Sequence, residues 1–490
     1  MTQGVVVGSG PNGLAAAITL AAAGVSVTVL EAAQTPGGGT RSGQVTVPGL
    51  LHDECSGFHP LATDNPFTRR FDLAAHGLRW ALPPVQYAHP LDGGRGAAVH
   101  RSVTTTAQGL GADGDRYARV FGPLTDRFDA IATEFLQSML HLPRHPIALG
   151  RFGVLAAPPA TWVGRLFSTD EAAALWAGVA AHAFHPLSTP LSSAIGAALG
   201  TAAHRFGWPV AVGGSQAIGA SMMSLLTSLG GRVETGVTVS SLDDLGDPDI
   251  VLLDTAPRAA AAILGARQPP RIARAYRRYR HGPAAFQVAF AVRDGVPWSF
   301  APARQAGTVH AVGDAAAVVT AEREVWHGRM PDEPFLLVGQ QYLADRDRSV
   351  GDIHPVDVYA HVPAGFRGDA RHQIIDQIER FAPGFRERIV ATHIRATADI
   401  TADNANYVAG DIITGANTPT QLIFRPRVAA NPYATGVEGV YLCSAATPPG
   451  AGAHGMCGWH AARSALRHRG LLDALDRPSE PMAADLKRPR

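Results

Sequence analysis

The chain has 490 residues, 46% of them apolar, and a formal net charge of +1. That length predicts two or three domains with sizeable cores, and that charge balance excludes a global field that would gather nucleic acid or acidic lipid. Basic charge is almost wholly arginine, with Lys487 the only lysine; the three cysteines, Cys55, Cys443 and Cys457, make no disulfide framework and suit a reducing compartment.

The first element is a short apolar run over residues 4–7, the kind a buried parallel strand needs. Because it begins so early, no signal peptide is expected, and a cytoplasmic protein is. The run leads into Gly8-Ser9-Gly10-Pro11-Asn12-Gly13. Gly8 permits a tight turn, Gly10 removes a side chain that would keep a pyrophosphate off the backbone, and Gly13 lets a helix approach the strand. The helix is predicted from about Pro11 to Ala23, with Gly24 as its stop. Its N-terminus, rich in free N–H groups, points at the phosphates. The next strand, Val27-Thr28-Val29-Leu30-Glu31, ends in an acid 18 residues beyond Gly13. Glu31 is placed to accept hydrogen bonds from an adenosine ribose, which argues against a 2′-phosphate. A glycine turn in some other α/β fold is the alternative; the flanking strand, helix and acid select a dinucleotide fold.

Residues 66–204 alternate polar stretches with helical patterns at 115–141 and 170–200. Within them, Phe152 to Phe167 is apolar and interrupted by Pro158-Pro159. It reads as buried helix, or as a membrane-docking surface; the first reading is preferred. From Gly213-Gly214-Ser215 a helix runs through Leu229, followed by a strand-like stretch from Val233 to Val239 and an apolar strand, Ile250 to Asp254. The basic run Arg271 to Arg280 places Ile272, Tyr276 and Tyr279 on one stripe, with the arginines mostly away from it, as a solvated helix face does. Strands are expected at Phe286 to Val292, Phe335 to Gln340 and Val356 to His361. His354, Tyr359 and His361 either line a substrate chamber or stand solvated on one sheet face. Near the C-terminus, Gly439 to Ser444 runs into Pro448-Pro449-Gly450-Ala451-Gly452-Ala453-His454-Gly455-Met456. This second glycine-rich segment makes the dinucleotide FAD rather than NAD. No run of about 20 apolar residues predicts a membrane span. No H-x-x-x-H pair with a third nearby ligand and no cysteine pair predicts a metal site. The tail 477–490 is polar and expected to be disordered.

These segments resemble the phytoene desaturase-like branch of the FAD-dependent oxidoreductases, a family distantly similar to flavin amine oxidases, over nearly the whole chain. Pro36-Gly37-Gly38-Gly39-Thr40-Arg41-Ser42 is similar to that superfamily's second glycine motif, along the FAD pyrophosphate; Gly39 stands where an arginine is usual, and Arg41 takes its place. Pro209 to Ser215 looks like the family's return to the FAD domain, and Val239 sits where a backbone contact to the adenine is expected. Asp403-Asn404-Ala405-Asn406-Tyr407, Phe424-Arg425-Pro426 and Asn431-Pro432-Tyr433 resemble bacterial members. Ser444-Ala445 replaces a Gly–acid pair, and Gly455-Met456 would lie against the ribityl chain and ring, at the start of the last helix.

The resemblance implies an α/β fold: a discontinuous Rossmann-like FAD-binding domain (1–65, 205–262 and 400–472) with an inserted α+β substrate domain (66–204 and 263–399). It implies hydride transfer from an apolar or amphipathic small molecule to the flavin, by desaturation, dehydrogenation or oxidation. Only one dinucleotide fingerprint is present, so the expected acceptor is oxygen, a quinone or another small oxidant. The alternatives are an FAD-dependent double-bond isomerase, which needs no acceptor, and a non-catalytic flavin-binding scaffold. Amine oxidases commonly hold a lysine near the ring, and the sole lysine here lies in the tail. Leu51 to Pro60 resembles the segment beside the flavin ring. Cys55 reads as a flavin-reactive thiol or a packing residue, His59 as a proton acceptor or a structural histidine, and His454 as a ligand to flavin or substrate or a structural residue. Peripheral contact with a membrane would deliver such a substrate; no nucleic-acid partner is expected, and the sequence sets no oligomeric state.

Overall fold

Two sheets organise the chain in this computed structural model, which describes residues 2–476; the expectation for 477–490 falls outside them. The first is a five-stranded parallel sheet in the order Val440–Leu442, Ile250–Leu253, Gln3–Val7, Ser26–Glu31, Arg232–Thr235. Its strands come from three separate stretches of sequence. Ile250–Leu253 is buried at every position, as a central parallel strand covered on both faces must be. The strand expected over Val233 to Val239 stops at Thr235, because Gly236 turns the chain at φ +73°.

Helix Pro11–Ala22 starts with proline in its first turn and packs against helices Met456–His468 and Gln216–Ser228. Its contact with the last helix is closed by small residues: a Cβ on Gly458 would collide with the Asn12 carbonyl. Helix Pro270–Arg277 buries Ala273 and Tyr276 and turns Arg271, Arg274 and Arg277 to solvent.

The second sheet has seven strands, ordered Ile389–Arg395, Ala284–Arg293, Ile353–Val362, Leu336–Gly339, Ala306–Ala311, Val85–Pro90, Gly96–Val99. All pairs are antiparallel except Ala306–Ala311 with Val85–Pro90. The last two strands lie in a stretch expected to be helical or polar. Side chains alternate across this sheet with period two. Phe286, Val288, Phe290, Val338, Val356 and Val358 face a core completed by Ile374, Ile378 and Phe381 of helix Arg371–Phe381. The opposite face floors a cavity.

Helices roof that cavity. The pattern at 115–141 divides at Arg127 into Gly114–Asp126 and Phe128–Phe135. The pattern at 170–200 divides into Asp170–Ala181 and Ser193–Arg205, with Pro186 and Pro190 in the loop between them. Phe152 to Phe167 forms parts of two short helices, Pro146–Ala156 and Ala160–Gly164. Each buries one face (Phe152, Leu155, Val163) and exposes the other (Val154, Trp162).

Candidate active site

A single cavity of about 1170 Å³ runs between the first sheet's carboxyl edge and the gap between the second sheet and its roof. Its narrow chemistry is at the first edge. Gly8 adopts φ +101°, and a Cβ there would come within 3.0 Å of the Asp254 carbonyl. A Cβ on Gly10 would come 2.9 Å from Asp254 Oδ2, and one on Gly13 would strike the Gly8 carbonyl. Gly8 thus makes the tight turn and Gly13 lets the helix close on the strand, while the room that Gly10 leaves is on the side of Asp254. Gly8, Ser9, Gly10, Pro11 and Asn12 line the cavity, whereas Gly13 lies behind them.

Glu31 also lines the cavity. Its Oε2 accepts from the Ser9 N–H at 2.8 Å and the Ser9 hydroxyl at 2.6 Å, and its Oε1 accepts from the Ala33 N–H at 2.9 Å. The strand end thus fixes the carboxylate before any ribose meets it. Gly38 and Arg41 stand on the same wall, while Gly37 supplies the turn at φ +115°. Arg41 donates to the Gly38 carbonyl (3.1 Å) and the Asp403 carbonyl (2.8 Å), so it ties the second glycine motif to the 403–407 segment. Val239 and Ser444 complete this end.

Asp254 was not singled out from sequence. Its Oδ2 accepts from the Gly13 N–H at 2.9 Å. Burial foremost, and the nearby Glu31 charge, raise its pKa to about 7 against the pull of that N–H. Asn406 clamps the same strand end, accepting from the Ala256 N–H (2.7 Å) and donating to the Asp254 carbonyl (2.9 Å). The signal was present: Ile250 to Leu253 ends in an acid, as Val27 to Leu30 does.

At the C-terminal glycine segment the expectation is corrected. Met456 is fully buried in the core beside helix Pro11–Ala22, and Gly455 abuts Ala15, so neither lines the cavity. The chain reaches the cavity just before the helix, through Ala451 to His454. His454 Nδ1 accepts from the Met456 N–H at 3.1 Å, which leaves the ring proton on Nε2, and burial lowers its pKa to about 4. It is neutral at the cavity wall, with its ring N–H turned to the Ala451 backbone.

Of the other two candidates, Cys55 faces the cavity and His59 does not. The Cys55 thiol meets the Tyr407 hydroxyl; burial pushes its pKa up, so it stays protonated rather than thiolate. His59 is buried behind the wall, 3.3 Å from Ser56 Oγ and 3.0 Å from Ser215 Oγ, with its pKa lowered to about 4 by desolvation. It positions the turn and is uncharged at neutral pH. Of the strand residues left open, Tyr359 lines the cavity, His361 is buried against Glu322 at 2.6 Å, and His354 stacks on Tyr342.

Beneath this wall lies a buried ion pair that sequence did not reveal. Arg348 Nη1 donates to Asp53 Oδ2 at 2.6 Å, and Arg348 Nε to Asp345 Oδ2 at 3.2 Å. Burial alone would raise the Asp53 pKa; Arg348 and the Ser215 N–H outweigh it and hold the carboxyl below its usual range. Asp53 Oδ1 accepts from Ser215 N–H and Ser42 Oγ, both at 2.7 Å. The pair therefore joins the flavin-facing segment, the Pro209 to Ser215 return and the second sheet.

Away from the glycine loop the roof is apolar, with Phe135, Phe152, Ala156, Ile195, Leu199 and Trp208. Among the described residues no group of three histidine, cysteine or carboxylate side chains is placed to hold a metal ion, and no helix is long and apolar enough to cross a membrane.

Known proteins share this architecture. Residues 6–78 match the family described as NAD(P)-binding Rossmann-like domain. A 96-residue stretch is 34% identical to pyridine nucleotide-disulfide oxidoreductase domain-containing protein 2 of Mus musculus; it covers 19% of this chain and only 16% of that protein. Putrescine oxidase bound to putrescine aligns over 97% of this chain and 99% of its own at 18% identity and a TM-score of 0.56. Cyclohexylamine oxidase from Brevibacterium oxydans IH-35A aligns over 97% and 100%, at 15% identity and 0.57. An oxidoreductase from Methanosarcina mazei aligns over 95% and 100%, at 14% and 0.57. The chain has the mixed α/β fold of the flavin amine oxidases, with a Rossmann-like domain at its start.

Proposed function

We propose that this chain is an FAD-dependent oxidoreductase that desaturates, dehydrogenates or oxidises an apolar or amphipathic small molecule by hydride transfer. The observation that carries the reading is continuity: one cavity joins the glycine loop and Glu31 to an apolar chamber. FAD fits the residues present. Gly8 to Asn12 present the loop and the start of the helix to the cavity, and Gly8 and Gly10 let that loop lie against Asp254. Three buried oxygens on that part of the wall, Asn12 Oδ1, Thr255 Oγ1 and Ser444 Oγ, have no partner in the protein, and a polar cofactor supplies one. When bound, the isoalloxazine supplies a hydride acceptor. The glycine loop and Glu31 would bind the cofactor, and the Phe152 and Trp208 walls would exclude water. The proton released along with the hydride would pass to water, since His59 and His454 are neutral, Cys55 is a thiol at pH 7 and none of them is a carboxylate or amine base.

The apolar half of the reading draws on the chamber's mouth. Met139 and Leu149 line the cavity beside a surface that exposes Leu142, Ile147, Val154 and Trp162. Exposed Arg144, Arg151 and Arg165 interleave with them, and no carboxylate occurs between Glu134 and Asp170. We place an anionic membrane surface against this patch as the source of substrate.

The deciding experiment is the visible spectrum of the purified protein, repeated on the supernatant after acid precipitation. Flavin bands that move to the supernatant are expected, followed by anaerobic bleaching with lipophilic candidates. No bands after incubation with FAD overturns the reading. Turnover without any electron acceptor would assign double-bond isomerisation instead.

A further inference from the structure

The sheet face under the cavity is graded, and its far end is unfinished. Strand register lays His393, Ala289, Asp357, Gly339 and Thr308 side by side across five adjacent strands, all on the cavity. Gly339 has no side chain, so a recess opens between Asp357 and Thr308. Gln341 borders it: a Cβ on Gly339 would stand 2.9 Å from Gln341 Oε1. Two oxygens adjoining the recess have no partner in the protein, Thr308 Oγ1 and Gln341 Oε1, and their residues are 0% and 3% exposed. Leaving such atoms unpaired costs free energy that a bound group recovers.

The chemistry of the missing partner follows from what is already taken. Gln341 Nε2 donates to Asp357 Oδ2 at 3.0 Å, which fixes the amide and turns its carbonyl oxygen to the recess. That oxygen only accepts, so the ligand must donate. The Thr308 hydroxyl can also donate, so the ligand must be able to accept. The Asp357 carboxylate is occupied by His52 Nδ1 (2.6 Å), the Asp53 N–H (3.0 Å) and Gln341. Neither of its oxygens is left without a partner to receive an ammonium. A carboxylate would meet the Gln341 oxygen with another acceptor. A neutral hydroxyl, one donor with lone pairs to spare, matches both atoms.

We propose that the Gly339 recess is a hydroxyl-binding subsite and that the substrate is an apolar molecule bearing an alcohol group. The hydroxyl donates to Gln341 Oε1 and accepts from Thr308 Oγ1, while the hydrocarbon lies under the Phe152, Ile195 and Leu199 roof. This rests on the cavity being the substrate chamber of the proposed oxidoreductase, and it assigns Thr308 and Gln341 as specificity residues.

The test is calorimetric titration of the purified full chain with 1-decanol, its methyl ether and decylamine. It needs no turnover, so it reads the subsite whether or not the spectrum shows a flavin. Decanol should bind roughly tenfold more tightly than the ether, which cannot donate. Thr308→Val, which removes the donor both ligands share, should weaken decanol and ether alike, whereas Gln341→Met, which removes the acceptor only the alcohol uses, should bring that preference towards one while ether affinity stays within about twofold. Thr308→Ser should keep the preference. Gly339→Ala, whose Cβ would stand 2.9 Å from Gln341 Oε1 and displace it, should reduce that preference. Equal affinity of decanol and ether in the native chain overturns the proposal, as does a preference for decylamine or one that survives in Gln341→Met.

Discussion

The two ends of the cavity solve recognition by different means. At the glycine loop the protein removes side chains and offers backbone: Gly8 and Gly10 let the loop lie against Asp254, and Glu31 is held rigid by Ser9 and Ala33. Three consecutive features of one βαβ unit suffice. In the chamber the protein does the opposite and offers side chains, brought from five strands 284–395 and from helices at 128–205. A phosphate-bearing cofactor is long, charged and always the same, so a short rigid cradle suits it. A hydrocarbon substrate offers area and few handles, so its site must be a surface assembled by the whole fold.

Replacing Gly10 by tryptophan attacks the backbone device directly and carries the largest expected effect. Any side chain there meets Asp254, and bound FAD, read as the ratio of visible to ultraviolet absorbance, should fall by at least tenfold. A variant that retained full FAD would mean that the loop is not the pyrophosphate bed. Next in size is Asp53→Ala, which breaks the joint between the two ends. Arg348 would be left buried without its main partner, and removing one member of a buried pair costs about 3–5 kcal/mol. The thermal midpoint should drop by many degrees, with both cavity ends loosening together in hydrogen exchange. Separate melting of one end would show that the pair does not couple them.

The difference between the ends also explains what could be seen in the sequence. Gly8, Gly10, Gly13 and Glu31 are legible because their roles are local: each acts within 25 residues of the others, through φ angles and strand ends. The parallel sheet around them was legible for the same reason. Thr308, Gln341 and Asp357 gave no signal, because what joins them is register between strands and the absence of a side chain at Gly339. Arg348 and Asp53 lie 295 residues apart, and no spacing rule links them. Met456 was misplaced by one turn: the glycine segment does reach the cavity, but the helix it opens needs its first side chain for the core.

Asp254 offers a way to sharpen the comparison, since it places a titrating group inside the backbone device. Burial holds its pKa near 7, against about 3.8 for the ordinary group. Below pH 4 the carboxyl is protonated whether the chain is folded or not. Between about pH 4 and 7 the unfolded chain releases a proton that the folded chain retains, so stability falls as pH rises through that window and levels off above it. For the cofactor-free protein this contribution is on the order of 4 kcal/mol, the displacement times about 1.4 kcal/mol per unit. Asp254→Asn should flatten the window in a pH series of denaturation curves. A native chain whose stability rises from pH 4 to 7, with no flattening in the variant, would show that Asp254 is charged in the fold.

The smallest effect on stability should come from the chamber's outer rim, and there the comparison can be broken outright. Seven of the twelve exposed large apolar residues among the described ones lie between Met139 and Leu166; Leu142 is 93% and Val154 80% exposed. Such side chains contribute little to folding, so Leu142→Ser, Val154→Ser and Trp162→Ser combined should alter stability by less than about 1 kcal/mol. Their density against three arginines and no carboxylate is costly in water, and the proposed anionic membrane surface would cover it. The native chain should therefore co-sediment with phosphatidylserine-containing vesicles, less with pure phosphatidylcholine, and the triple variant with neither. If the native chain ignores vesicles and instead sediments as a dimer that the triple variant dissolves, the rim is an interface between copies. The chamber would then take its substrate from solution, as the other end takes its nucleotide.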